Sequence, residues 1–114
     1  MSDSLFGEPI MVYLSEEAVE DGFLFDVTKI EPSWGNGPFR FVTTNLLNEL
    51  GYMEGDKIKI PCLIDLMKQS VLIIKNKKDD FYSGEIETPA GSKVKIFIVL
   101  NELNKFTLML PGDY

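Results

Sequence analysis

The last third of the chain constrains the fold more than any other stretch. Phe81–Thr88, Lys93–Leu100 and Phe106–Leu110 are three runs of alternating character, joined by Pro89-Ala90-Gly91-Ser92 and by Asn101–Lys105. Successive strand residues point to opposite faces, so alternation marks an extended segment with two distinct sides. Connections this short imply hairpins, and the three runs are therefore expected to form an antiparallel meander. In the middle run Val94, Ile96, Ile98 and Leu100 share one face, opposite Lys93, Lys95, Phe97 and Val99. In the last, Phe106, Leu108 and Leu110 alternate with Thr107 and Met109. One face must bury against helices. The other begins charged but turns apolar at Phe97, Val99 and Met109. It needs cover from the N-terminal strand unit or from another subunit, which makes a homodimer one expectation.

Helices for that sheet are legible upstream. Pro61 suits a first helical turn. Along Cys62–Lys75, Leu63, Leu66, Met67, Val71 and Ile74 recur at helical spacing, with Ile64, Leu72 and Ile73 widening the stripe. Asp65 near the start and Lys75, Lys77 and Lys78 near the end suit the helix dipole, although the β-branched run Val71–Ile74 is also compatible with a strand. Thr43 or Thr44 can cap a second helix through Leu50, with Gly51 as its stop. Phe39–Val42 is extended, Glu54-Gly55-Asp56 is a turn, and Lys57–Ile60 reads as a short edge strand. Ile10–Leu14 reads as a first strand, and the polar Met1–Pro9 is expected to fray. The fold class is α+β: two to three helices packed on an antiparallel sheet of about five strands, ending in the meander. Residues 1–114 make one domain, long enough to bury roughly two-thirds of the unfolded surface.

Tyr13–Thr28 adds a helix–stop–strand unit. Ser15 is placed as an N-cap, with Glu16 and Glu17 in the first turn where the dipole favours them. Gly22 is placed to close the helix in a left-handed conformation. Phe23, Phe25 and Val27 then alternate with Leu24, Asp26 and Thr28, as in a strand buried on both faces. Four acids, Glu16, Glu17, Glu20 and Asp21, fall within six residues. They lack the ligand spacing of a calcium loop, and a solvated helix face accounts for them better. Asp26 is the unusual residue, because an acid in an apolar strand must find a partner or stay at the edge.

The pattern Tyr13-x-Ser15-x-x-Ala18-Val19-x-Asp21-Gly22-x-Leu24-x-Asp26-Val27-Thr28 resembles the opening signature of a family of small uncharacterised proteins. That family is associated with plasmids and phages and is known only as a domain of unknown function. Phe39-Arg40-Phe41-x-Thr43 and the late Pro111-Gly112-Asp113 extend the resemblance, whereas Gly51–Ile60 departs from it. The resemblance supports the helix–stop–strand unit and implies a mobile-element origin. It carries no catalytic residue.

Several chemistries are disfavoured by what the chain contains. There is no histidine, which removes imidazole acid–base catalysis and the Ser-His and Cys-His nucleophile pairs. The single cysteine, Cys62, cannot build a disulfide framework or a thiolate metal site. It is either an inert core thiol or, near a helix N-terminus, a reactive one. Neither a cofactor nor a metal is expected. Eighteen acids against eleven bases give a net charge of −7, the wrong sign for gripping a phosphate backbone. The N-terminus lacks the apolar core of a signal peptide, and no apolar run approaches the ~20 residues of a membrane helix, so a cytoplasmic location is expected. Ile30–Pro38 is a loop by its prolines and glycines, and Trp34 within it either anchors a partner or folds back as a lid over the core. The first functional expectation is a non-enzymatic accessory or protein-interaction module, its surface drawn from Glu20, Asp21, Asp26, Trp34 and Arg40. A small-ligand binder or carboxylate enzyme using Asp26, Asp21 and Tyr82 is a second. An acidic regulator or nucleic-acid mimic is a third.

Overall fold

The computed structural model describes residues 15–74 and 79–114. The strand at Ile10–Leu14, the fraying of Met1–Pro9 and the lysines Lys75, Lys77 and Lys78 lie outside the described residues. The chain runs α1 (Ser15–Glu20), β1 (Leu24–Asp26), β2 (Phe39–Thr43), α2 (Thr44–Glu49), β3 (Met53–Glu54), β4 (Lys57–Ile58), α3 (Ile60–Ile74), β5 (Phe81–Glu87), β6 (Lys93–Leu100) and β7 (Phe106–Met109). Short 3-10 turns occupy Val27–Lys29, Pro32–Asn36 and Pro111–Asp113.

The fold is α+β, and β5, β6 and β7 form the expected meander. The main sheet has the order β1-β2-β7-β6-β5, while β3 and β4 pair separately. The sheet is mixed rather than antiparallel throughout, because β2 and β7 run parallel. Parallel neighbours need a long connection, and the whole of α2 through β6 supplies it.

One sheet face carries the core. Phe39, Val42, Tyr82, Ile86, Ile96, Ile98 and Leu108 meet Leu46 and Leu47 of α2 and Leu63 and Leu66 of α3. Each fully buried leucine or isoleucine here contributes about 1.5–3 kcal/mol relative to exposure. Thr43 caps α2, its hydroxyl accepting from the Leu46 amide. The inward face of α3 passes through Leu63, Leu66, Ser70 and Ile73, so Val71 and Leu72 rotate away. They are 41% and 70% exposed, whereas the spacing expected Val71 on the buried stripe and Leu72 widening it. The phase is set by Gly84 of β5: a Cβ there would sit 2.7 Å from Ile73 Cδ1. Gln69 fastens the helix to the same edge strand, donating to the Glu87 carbonyl at 3.0 Å and accepting from the Glu87 amide at 2.8 Å.

The N-terminal unit departs from expectation in two ways. Its strand is only Leu24–Asp26, because the Asp26 carboxylate accepts from the Thr28 amide and draws the chain into a 3-10 turn instead of a ladder. At the other end Phe23 lies outside the strand, its amide donating to Ala18 O in the helix stop, and it is 60% exposed. Ser15 is the first helical residue and not a cap; its amide and hydroxyl both donate to Glu102. Gly22 does stop the helix: at φ +83°, it donates to Val19 O while Phe23 donates to Ala18 O, a Schellman pair. Among the described residues no helix is long and apolar enough to cross a membrane.

Candidate functional site

The five surface residues singled out from the sequence do not form one patch. Asp26 and Arg40 come together. The β1–β2 register sets Asp26 opposite Phe41, next to Arg40 in the chain. Arg40 Nε donates to Asp26 Oδ1 at 2.9 Å, and the same oxygen accepts the Thr28 amide at 2.9 Å and its hydroxyl at 2.6 Å. The β2–β7 register slips between Phe39 and Phe41, and such a bulge re-aims a side chain. The Arg40 guanidinium lies 5.4 Å from the Phe41 ring centroid. Burial pushes the Asp26 carboxyl up, but the bonds from Arg40 and Thr28, with the Arg40 charge, outweigh it and hold it below the ordinary 3.8. A general acid or base needs the opposite shift and an open cavity. Asp26 is a held carboxylate, joining a turn to a strand.

The remaining candidates are spread out. Tyr82 belongs to β5, the opposite edge strand from the β1 of Asp26, and its buried hydroxyl accepts from the Asp79 amide at 2.8 Å. Glu20 and Asp21 are exposed at the end of α1. Trp34 sits in a 3-10 turn capped by Glu31 and packs half-buried against the core. It lines a cleft of about 340 Å³ with Phe39, Ile64, Met67 and Val71, on the α3 side of the sheet. Its packing on the core is what the lid reading expects. Cys62, half-buried, faces Tyr52, Pro61, Asp65 and Pro89, none of them cationic. Burial, with Asp65 and Cys62 nearby, pushes the Tyr52 hydroxyl up to about 12, so it stays protonated.

The other sheet face holds a groove of about 440 Å³. Strand register places Leu24, Thr43, Thr107, Met109 and Val99 side by side on that face, across β1, β2, β7 and β6. They form a floor that is apolar apart from two threonine hydroxyls. Ser15 and Ala18 of α1 form one wall, and Asn45 and Asp113 stand on the lining as well. Beyond Val99 the face continues as an aromatic trio. Phe81 and Phe97 are 4.8 Å apart between centroids, and Tyr114 lies 5.1 Å from Phe81 and 5.8 Å from Phe97.

Two carboxylates fasten the groove walls. Glu102 accepts the Ser15 amide at 3.0 Å and its hydroxyl at 2.9 Å, tying α1 to the β6–β7 connection. That connection is itself fixed, because Asn101 Oδ1 accepts from the Leu103 and Lys105 amides. Burial raises the Glu102 carboxyl, but its own amide and the Ser15 donors hold it below the ordinary 4.5. Asp113 accepts from the Thr43 hydroxyl at 2.7 Å, from Asn45 Nδ2 at 2.9 Å and from the Leu110 amide at 3.2 Å. The last 3-10 turn is thereby pinned to the start of α2.

Sequence reasoning singled out neither carboxylate as a site residue. Asp113 stands in the Pro111-Gly112-Asp113 motif, which was a usable signal; Glu102 stands in an ordinary polar connection and had none. Such an arrangement can receive an apolar segment and accept hydrogen bonds or positive charge at its rim. Among the described residues, no three Cys, Asp or Glu side chains cluster as a metal site would require. No protein-family model, curated protein or solved structure matches the chain.

Proposed function

We propose that this chain is a small accessory protein, of mobile-element type and cytoplasmic, that works by binding another protein through the groove on the open sheet face. One observation carries the reading. The groove is apolar along its floor, yet its walls are fixed by hydrogen bonds between residues 87 and 70 positions apart, Ser15 with Glu102 and Thr43 with Asp113. A preformed cavity spares a partner the entropic cost of ordering it. The acids that would serve a carboxylate enzyme point away from that alternative. Asp26 is held ionised by Arg40 and Thr28, and it does not line the groove.

The test starts from no assumed partner. A random peptide library is panned against the immobilised chain, and each recovered peptide is titrated into isotopically labelled protein. Amide shifts are expected to concentrate at Leu24, Thr43, Val99 and Met109. Shifts centred on the Trp34 cleft, or a library that yields no binder, would contradict the proposal.

A further inference from the structure

We infer that the segment received by this groove is cationic as well as apolar: a protein stretch in which Lys or Arg residues flank the side chains that enter. This rests on the groove being a docking site, and it adds the partner's chemistry. Charge complementarity carries it. Among the described residues of the lining the two charged ones, Glu102 and Asp113, are both carboxylates. Glu102 accepts from Ser15 at 2.9 and 3.0 Å, and its own amide and these donors, against burial, hold it below its ordinary value, so it is ionised at neutral pH. Glu16, Glu17 and Glu20 belong to α1, whose Ser15 and Ala18 line the groove, and Asp21 follows it; all four are exposed.

Among the described residues no Lys or Arg lines the groove. Arg40 is bound to Asp26. Lys105 donates to the Gly37 carbonyl at 2.8 Å. Lys93 and Lys95 stand across the strand pair from Glu87 and Glu85, at the far end of β6. The charges on the described groove lining thus set a field of one sign, in a chain with net charge −7. Such a field raises the local concentration of an oppositely charged partner and speeds its arrival. The exposed Tyr114 ring beyond the floor offers a face on which an arginine can stack. An apolar floor under an acidic rim rejects an anionic segment and gives a neutral one no steering.

Three labelled synthetic peptides test this by fluorescence anisotropy with the full chain. One alternates leucine with lysine or arginine, one has glutamate in place of the cations, and one has serine in place of the leucines. The cationic leucine peptide should bind at least about tenfold more tightly than either relative. Its affinity should fall several-fold on going from low salt to roughly 0.3 M, where screening is strong. It should also fall in the exposed double variant Glu16→Lys, Glu20→Lys, whose melting temperature serves as the folding control.

Equal binding of the cationic and glutamate peptides would overturn the inference. So would failure of all three while panned peptides still shift the groove amides, in which case the docking site itself stands. Concentration-dependent dimers that protect the groove amides would make a second copy the occupant. Contacts from residues 1–14 to Val99 or Met109 that survive saturating peptide would make the chain its own occupant. Either result would overturn the inference.

Discussion

The Asp26 Oδ1 atom accepts two bonds from Thr28 and one from Arg40, and the residue is nearly buried. The sequence announces that an acid among Leu24, Phe25 and Val27 needs a partner. It does not announce which one, because Arg40 is 14 residues away and arrives only through the β1–β2 register. Folding lowers the Asp26 pKa, so its stabilising contribution is complete above the unfolded value near 3.8 and is lost as pH falls through the folded value. Asp26→Asn should therefore cost about 1–3 kcal/mol at pH 7 in urea denaturation. The gap to the parent should narrow as pH drops below about 4. A gap that stays constant into acid would mean that the charge on Asp26 is irrelevant to the turn.

At the scale of elements, α3 and β5 are fitted to one another by an absence of side chain. Gly84 lets Ile73 approach so closely that a methyl group would meet three of its carbons at 2.7, 2.9 and 3.1 Å. Gly84→Ala should destabilise the fold by about 1–3 kcal/mol, the usual cost of overpacking. In an Ile73→Ala background most of that penalty should vanish, which a double-mutant cycle measures. An unchanged penalty would place the strain in the strand backbone and not in the helix contact. Helical spacing alone made α3 visible, since Leu63 and Leu66 repeat at the right interval. It could not fix the rotation about the axis. Ser70 is fully buried, with its hydroxyl bonded to the Leu66 carbonyl at 2.8 Å, while Leu72 faces out.

At the scale of the molecule, alternation in Lys93–Leu100 made the meander legible, because hairpin neighbours are also neighbours in sequence. It left the parallel β2–β7 pairing hidden, since Phe39 meets Phe106 across most of the chain. The apolar second face was legible from Phe97, Val99 and Met109. Its cover was legible in part: the N-terminal unit was one of two expected covers and its α1 stands there, but the tie to Glu102 and the closure by Asp113 were not legible. A site assembled by contacts of this length leaves almost no local trace in the sequence.

The claim that this face is a recognition surface is tested most directly by substituting its floor while keeping its shape. Met109→Gln is nearly isosteric and removes apolar surface from a half-buried position on the groove lining. Measured side by side with the parent chain, it should weaken binding of a panned peptide about tenfold. Its melting temperature should stay within a few degrees. Unchanged affinity in a variant that still folds would contradict the account.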